Sequence, residues 1–174
     1  MYVKGYVQVY TGNGKGKTTA SLGLSLRALG AGIKVFFAQF IKDGNSSEFK
    51  ALRKFGDAFT HRAFGKGRFI MGKKPSEEDC RAAMDGLKMC GEIISSGDFG
   101  LVVMDEANSA VSAGLFSVDE LLKTLALKHP QTELVITGRN AHPELLEMAD
   151  LVSEIMEVKH YWKKGVTARE GIEK

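Results

Sequence analysis

Apolar residues arrive along this chain in short uninterrupted runs, separated by longer stretches in which they recur every three or four positions. Tyr6 to Tyr10 is a β-branched and aromatic run that stops at Thr11-Gly12, the pattern of a buried strand. Lys17 to Leu29 carries Ala20, Leu22, Leu24, Leu26 and Leu29 without a proline and ends at Gly30-Ala31-Gly32, which predicts a helix with a glycine stop. Ile33 to Ile41 predicts a second strand, Glu48 to Lys54 a short helix, and Ala58 to Phe64 a third strand. The glycine- and lysine-rich stretch from Gly65 to Pro75 reads as a loop. Ser76-Glu77-Glu78-Asp79 resembles a capping box opening a helix that runs to about Ser95. Leu101 to Asp105, Leu134 to Gly138 and Leu151 to Val158 predict further strands. A helix capped at Ser117 is expected to reach about Lys128, and His142-Pro143 opens a short one. From Tyr161 onward no period is legible.

Alternating strands and helices, with several strands apolar on both faces, predict a three-layer α/β/α fold around a mostly parallel sheet of about six strands. No repeat, low-complexity segment or linker interrupts the chain, so one domain over residues 1–174 is expected. The methionines, including Met84, Met89, Met148 and Met156, read as core.

Composition narrows the function classes. A net charge of +3 is too small to argue for nucleic acid, although it leaves room for a local anion site. Cys80 and Cys90 fall in one predicted helix, about 15 Å apart along its axis, too far for a disulfide. No Cys or His pair has zinc-like spacing, and free thiols point to a reducing compartment. No apolar signal segment or membrane-length run is present, so the cytoplasm is the expected location.

The chemistry begins at Thr11-Gly12-Asn13-Gly14-Lys15-Gly16-Lys17-Thr18-Thr19, between a strand and a helix, where a P-loop belongs. Glycines let successive backbone N–H groups turn inward, and the helix N-terminus adds its positive dipole end. Residues Gly12 to Thr19 are therefore the candidate triphosphate site for ATP, with Lys17 reaching phosphate oxygens and the Thr18 hydroxyl ligating Mg²⁺. One departure is Thr11, where the usual pattern has glycine. Leu101-Val102-Val103-Met104-Asp105-Glu106, an apolar strand ending in two carboxylates, suits a Walker B element holding that metal beside Thr18. Glu106 equally suits activation of a water, as in an ATPase. Arg139, just after a predicted strand, is a candidate nucleotide contact, because ligands in open α/β sheets bind at the carboxyl ends of strands.

The stretch from Thr11 to Gly32, followed by VFFAQFIK, resembles the P-loop corrinoid adenosyltransferases, and the resemblance continues through Leu101 to Glu106 and Thr137 to His160. It closes on GVTAREGIE, Gly165 to Glu173, which generic P-loop proteins have no reason to carry. The resemblance implies a RecA-like P-loop fold and an enzyme that moves the 5′-deoxyadenosyl group of ATP to the cobalt of a Co(I) corrinoid, releasing triphosphate. On this view Asp105 and Glu106 serve the metal and not a proton, since Co(I) is itself the nucleophile. The resemblance also implies a homodimer, a reductase or flavodoxin-type electron donor, and apolar side chains beneath the corrin ring. Phe69 and Met71 are the candidates for that last role; some members place Phe and Trp near there, whereas the only tryptophan in this chain is Trp162. Lys66, Arg68, Lys73 and Lys74 surround that patch and suit the peripheral carboxylates of an early corrinoid precursor, single-stranded nucleic acid, or plain solvation. A nucleotide kinase and an ATP-dependent switch are the competing readings, and neither gives the closing stretch a task.

Overall fold

Along Leu101-Val102-Val103-Met104, successive side chains enter opposite cores. Val102 and Met104 join one apolar cluster, and Leu101 and Val103 join another on the far side of the sheet. Two neighbouring strands repeat the division. Phe36 and Ala38 face the first cluster, Val35 and Phe37 the second; Leu134 and Ile136 face the first, Val135 the second. Strands covered on both sides read as continuous apolar runs, which is why they were visible in the sequence.

The computed structural model describes residues 4–67 and 74–173. Its six strands are β1 (Val7–Thr11), β2 (Val35–Gln39), β3 (Phe59–Ala63), β4 (Leu101–Asp105), β5 (Glu133–Thr137) and β6 (Leu151–Glu154). All pairings are parallel, in the order β3-β2-β4-β5-β1-β6. The helices are α1 (Lys17–Gly30), α2 (Ser47–Leu52), α3 (Glu77–Ser96), α4 (Ala107–Ser112), α5 (Val118–Leu125) and α6 (Pro143–Met148). Residues of α1 and α2 pack in the second cluster, and residues of α3 to α6 in the first. The fold is thus the expected three-layer sandwich, with a sheet that is wholly parallel.

Local chemistry explains the boundaries. Ser76 and Ser117 accept hydrogen bonds from Asp79 N and Glu120 N, and both acids reach back to the cap N–H, so each helix opens on a capping box. Gly97 in the left-handed region ends α3. The α5 helix stops earlier than expected because Leu127 N and Lys128 N bond to carbonyls three residues back, tightening the chain out of the α-helix. β6 also ends early: Thr11–Glu154 is its last register pair with β1, and Ile155 beyond it bonds to Thr11 O and to Gly14 N of the glycine loop. α4 was not foreseen, being six residues of mostly small side chains with too short a pattern to show a period.

One expectation is corrected. Met84, Met89 and Met148 are about a third exposed and Met156 is 74% exposed, so these methionines are not core. In α3 the buried stripe is Ala83, Gly86, Leu87, Cys90, Gly91 and Ile94, and Met84 and Met89 fall beside it. Among the described residues Met104 is the fully buried methionine. Both cysteines are free. Among the described residues no helix is long and apolar enough to cross a membrane.

Candidate functional site

The strand order brings the carboxyl ends of β2, β4, β5 and β1 side by side, and the loop after β1 leads into α1. Within that loop Gly12 has φ +95° and Gly16 φ +129°, backbone that side-chain-bearing residues rarely adopt. A Cβ at Gly12 would stand 2.5 Å from Ile155 O, and one at Gly14 would stand 2.7 Å from Met156 O. The glycines let the loop rest directly on the chain leaving β6, where Gly14 N donates to Ile155 O at 2.7 Å. Helix α1 begins at Gly16 with no side-chain cap and no acid in its first turn, unlike α3 and α5. Its first N–H groups are therefore open to an anion.

Lys17, 7% exposed, donates from Nζ to Gly12 O at 2.6 Å and Gly14 O at 2.8 Å. Burial pushes its pKa down, with Arg139 and Lys42 adding to the effect and the Glu106 and Asp105 carboxylates opposing it. An ammonium already bent into the loop and short of solvation is suited to a phosphate oxygen.

Asp105, fully buried at the end of β4, is the hub. Its Oδ1 accepts from Thr18 Oγ1 at 2.9 Å and from Thr137 Oγ1 at 2.6 Å. Its Oδ2 accepts from Gln39 Nε2 at 2.9 Å and Lys42 Nζ at 3.2 Å. Lys42 Nζ also donates to Thr18 Oγ1 at 2.8 Å and lies 3.8 Å from Glu106 Oε1. Burial works against the Lys42 charge, but Asp105 and Glu106 outweigh it and hold its pKa above the ordinary value. Glu106 adopts φ +62°, a conformation uncommon for a residue with a side chain. Thr137 Oγ1 accepts from Glu106 N at 3.1 Å, and Ser109 Oγ donates to Glu106 Oε2 at 2.5 Å.

Three oxygen groups, from Thr18, Asp105 and Glu106, thus surround a cationic nitrogen. Hard oxygen donors of this kind fit Mg²⁺, which binds through one or two carboxylates and keeps positions for phosphate and water. Among the described residues no three His, Cys, Asp or Glu side chains gather into a metal-binding group.

Beside the loop opens a cleft of about 850 Å³. Asn13 to Thr19, Lys42, Glu106 and Arg139 line one side, and Leu22, Leu26, Leu52 and Phe55 give an apolar wall. Gly171, Ile172 and Glu173 from the tail complete it, with Lys15 Nζ donating to Ile172 O at 3.3 Å. Within the tail, Arg169 donates to Glu173 Oε1 at 3.0 Å and the Tyr161 hydroxyl also donates to Glu173.

The structure therefore gathers Asn13 to Thr19, Glu106 and Arg139 in one cleft wall, with Gly12 and Asp105 directly behind it. Phe69 and Met71 lie outside the described residues, as do Arg68 and Lys73. Arg27 is exposed and does not line the cleft. Sequence reasoning missed Gln39, Lys42 and Thr137. The available signal was a polar residue at the end of each apolar strand: Gln39 closes β2 and Thr137 closes β5.

An uncapped helix behind a glycine loop, next to a buried strand-end aspartate, defines the class of P-loop α/β proteins. Flagellar accessory protein FlaH from Methanocaldococcus jannaschii shares the fold: TM-score 0.57 at 14% identity, over 87% of this chain and 71% of that one. Residues 3–173 match the model of the ATP:corrinoid adenosyltransferase BtuR/CobO/CobP family, and the chain belongs to that family of transferases. A corrinoid adenosyltransferase of Pseudomonas aeruginosa is 36% identical over 171 residues, covering 98% of this chain and 84% of that protein. One from Escherichia coli K12 is 35% identical, covering 98% and 86%.

Proposed function

We propose that this chain, as one domain, transfers the 5′-deoxyadenosyl group of ATP to the cobalt of a Co(I) corrinoid, in the making or salvage of adenosylcobalamin. The observation that carries the reading is the position of the closing GVTAREGIE stretch. Its Gly171, Ile172 and Glu173 fold back into the cleft beside the glycine loop, and Lys15 holds Ile172. A segment peculiar to the family thus shares one space with the machinery common to P-loop proteins. In a kinase or a switch it has no task there.

The reaction is a displacement at carbon 5′. The Co(I) electron pair forms the Co–C5′ bond while the C5′–O bond breaks, and the oxygen leaves with its pair as triphosphate. No proton moves in that step, so the site needs no general base. It needs alignment, with the reacting atoms about 3–3.5 Å apart, and donors aimed at charge gathering on the triphosphate. The uncapped N–H groups that open α1, the Lys17 ammonium and Arg139 are disposed for the second task. Thr18, Asp105 and Glu106 are the groups that would hold Mg²⁺, which neutralises phosphate charge when bound. Gln39 and Thr137 hold the Asp105 carboxyl in place through hydrogen bonds to Oδ2 and Oδ1.

Reduction of the corrinoid requires an external electron donor, for which a reductase or flavodoxin-type protein is the expected partner. We place the enzyme in the cytoplasm and infer a homodimer: β6 is an edge strand whose Leu151 and Val152 are exposed, next to exposed Met156 and Val158. Anaerobic incubation with ATP, Mg²⁺ and chemically reduced corrinoid tests the activity. Loss of the Co(I) spectrum that requires ATP is expected; a Co(I) spectrum indifferent to ATP overturns the reading.

A further inference from the structure

The ammonium of Lys42 stands where a divalent cation would. Its three oxygen neighbours, Thr18 Oγ1 at 2.8 Å, Asp105 Oδ2 at 3.2 Å and Glu106 Oε1 at 3.8 Å, are the groups assigned above to Mg²⁺. The Thr18 hydroxyl has a single proton, which it gives to Asp105 Oδ1, and Lys42 takes up one of its lone pairs. A metal ion on the same hydroxyl would lie within van der Waals reach of the ammonium, with like charges forced together. The two cations cannot share these ligands.

The remaining contacts show that this is a built arrangement and not a surface pairing. Asp105 is wholly buried and its other partners, Gln39 and Thr137, are buried too, so its charge needs a cation at Oδ2. Lys42 comes from outside the glycine loop, on the segment after β2, and 42% of its side chain is exposed into the cleft. Its four-carbon stem can withdraw from Asp105 without moving the strand that holds it, and the withdrawn ammonium faces the space beside Lys17.

We propose that Lys42 is an internal counter-cation that occupies the divalent-metal position of the nucleotide-free enzyme and swings to the triphosphate when metal and nucleotide arrive together. It rests on the metal reading of Thr18, Asp105 and Glu106 given above. Lys42 is then a positioning residue with two consequences. It keeps Asp105 neutralised and aligned before substrate binds. It also makes metal binding weak unless a phosphate ligand is present to receive the displaced ammonium, so the two bind with positive coupling.

The test is Mn²⁺ binding to the intact protein, read by loss of the free-ion electron paramagnetic resonance signal, with and without ATP. In the absence of ATP, Lys42→Met and Lys42→Gln should each bind Mn²⁺ about tenfold more tightly than wild type, the equivalent of about 1.4 kcal/mol. Lys42→Arg, which keeps the charge, should bind as weakly as wild type. With ATP present the wild type should gain on the variants, so the ratio of affinities with and without nucleotide shrinks in Lys42→Met and Lys42→Gln. Circular dichroism on each variant establishes that it is folded. Equal Mn²⁺ affinity in wild type, Lys42→Met and Lys42→Gln without ATP overturns the proposal, and so does tight binding by Lys42→Arg. Asp105→Asn separates this from the reading beneath it. If that change leaves Mn²⁺ binding in the presence of ATP untouched, the metal assignment itself is wrong and both fall.

Discussion

The Thr137 hydroxyl joins the two carboxylate positions of the site: it donates to Asp105 Oδ1 at 2.6 Å and accepts from Glu106 N at 3.1 Å. β5 lies between β4 and β1, so a residue closing β5 is the natural clasp between the strand-end acid and the glycine loop. Thr137→Val removes the hydroxyl while keeping the shape. It leaves a buried carboxylate short of one donor and Glu106 N without its acceptor. Loss of about 1–3 kcal/mol of stability is expected, with a fall of about 10- to 100-fold in metal affinity or turnover. Thr137→Ser should recover most of both. Denaturant unfolding and metal titration of the two variants check this.

Lys17→Ala should cut turnover by at least about 100-fold, the loss typical of a missing charged donor to a developing anion. Lys17 Nζ also ties Gly12 O to Gly14 O, so the loop loosens in the variant. Far-ultraviolet circular dichroism should nevertheless match wild type, because no core residue is touched. Steady-state kinetics and ATP binding measure the effect.

His61 gives the fold a pH dependence. Burial pushes its pKa down to about 4, with Arg53 and Arg62 adding to the shift. Its ring stacks on Phe49 at 3.7 Å, and Nε2 faces Gln39 Oε1 at 3.2 Å. Because Gln39 turns its amide nitrogen to Asp105, that Gln39 oxygen accepts and His61 Nε2 carries the proton of the neutral ring. The unfolded chain takes up a further proton near pH 6.5 and the folded chain does not until about pH 4. Stability from this group is therefore full above about pH 6.5 and is lost as the pH falls toward 4. The urea midpoint should drop between pH 7 and 4.5, and His61→Gln should flatten that drop.

The cysteines separate by burial. Cys90 is fully buried, and burial pushes its thiol pKa up to about 12, so almost no thiolate exists near neutrality. Cys80 is only partly buried. Iodoacetamide on the native protein should add to Cys80 alone, with Cys90 reacting after denaturation, as peptide mass spectrometry would read.

Much of this architecture was legible because its determinants are local. The runs that became β2, β4 and β5 are apolar on both faces, so any strand reading finds them. The link between Thr18 and Asp105 came from motif order, and the fold places the two 2.9 Å apart. Lys42 and Gln39 were hidden for a different reason. Their meeting with Asp105 depends on β2 lying next to β4, with Gln39 paired to Asp105 in register, and on a crossover over α2 and α3 that no spacing reveals. Four methionines were misplaced because composition says they are apolar, whereas whether they face water is decided by the turn of α3 for Met84 and Met89, by the end of α6 for Met148 and by the segment after edge strand β6 for Met156.

The fate of the triphosphate tests the central claim most directly. With reduced corrinoid, Mg²⁺ and ATP under anaerobic conditions, phosphorus NMR of the products should show one intact triphosphate for each cobalt–carbon bond formed. Release of diphosphate nucleotide and inorganic phosphate in place of triphosphate would show that the cleft acts on the γ-phosphoryl group, and would contradict displacement at carbon 5′.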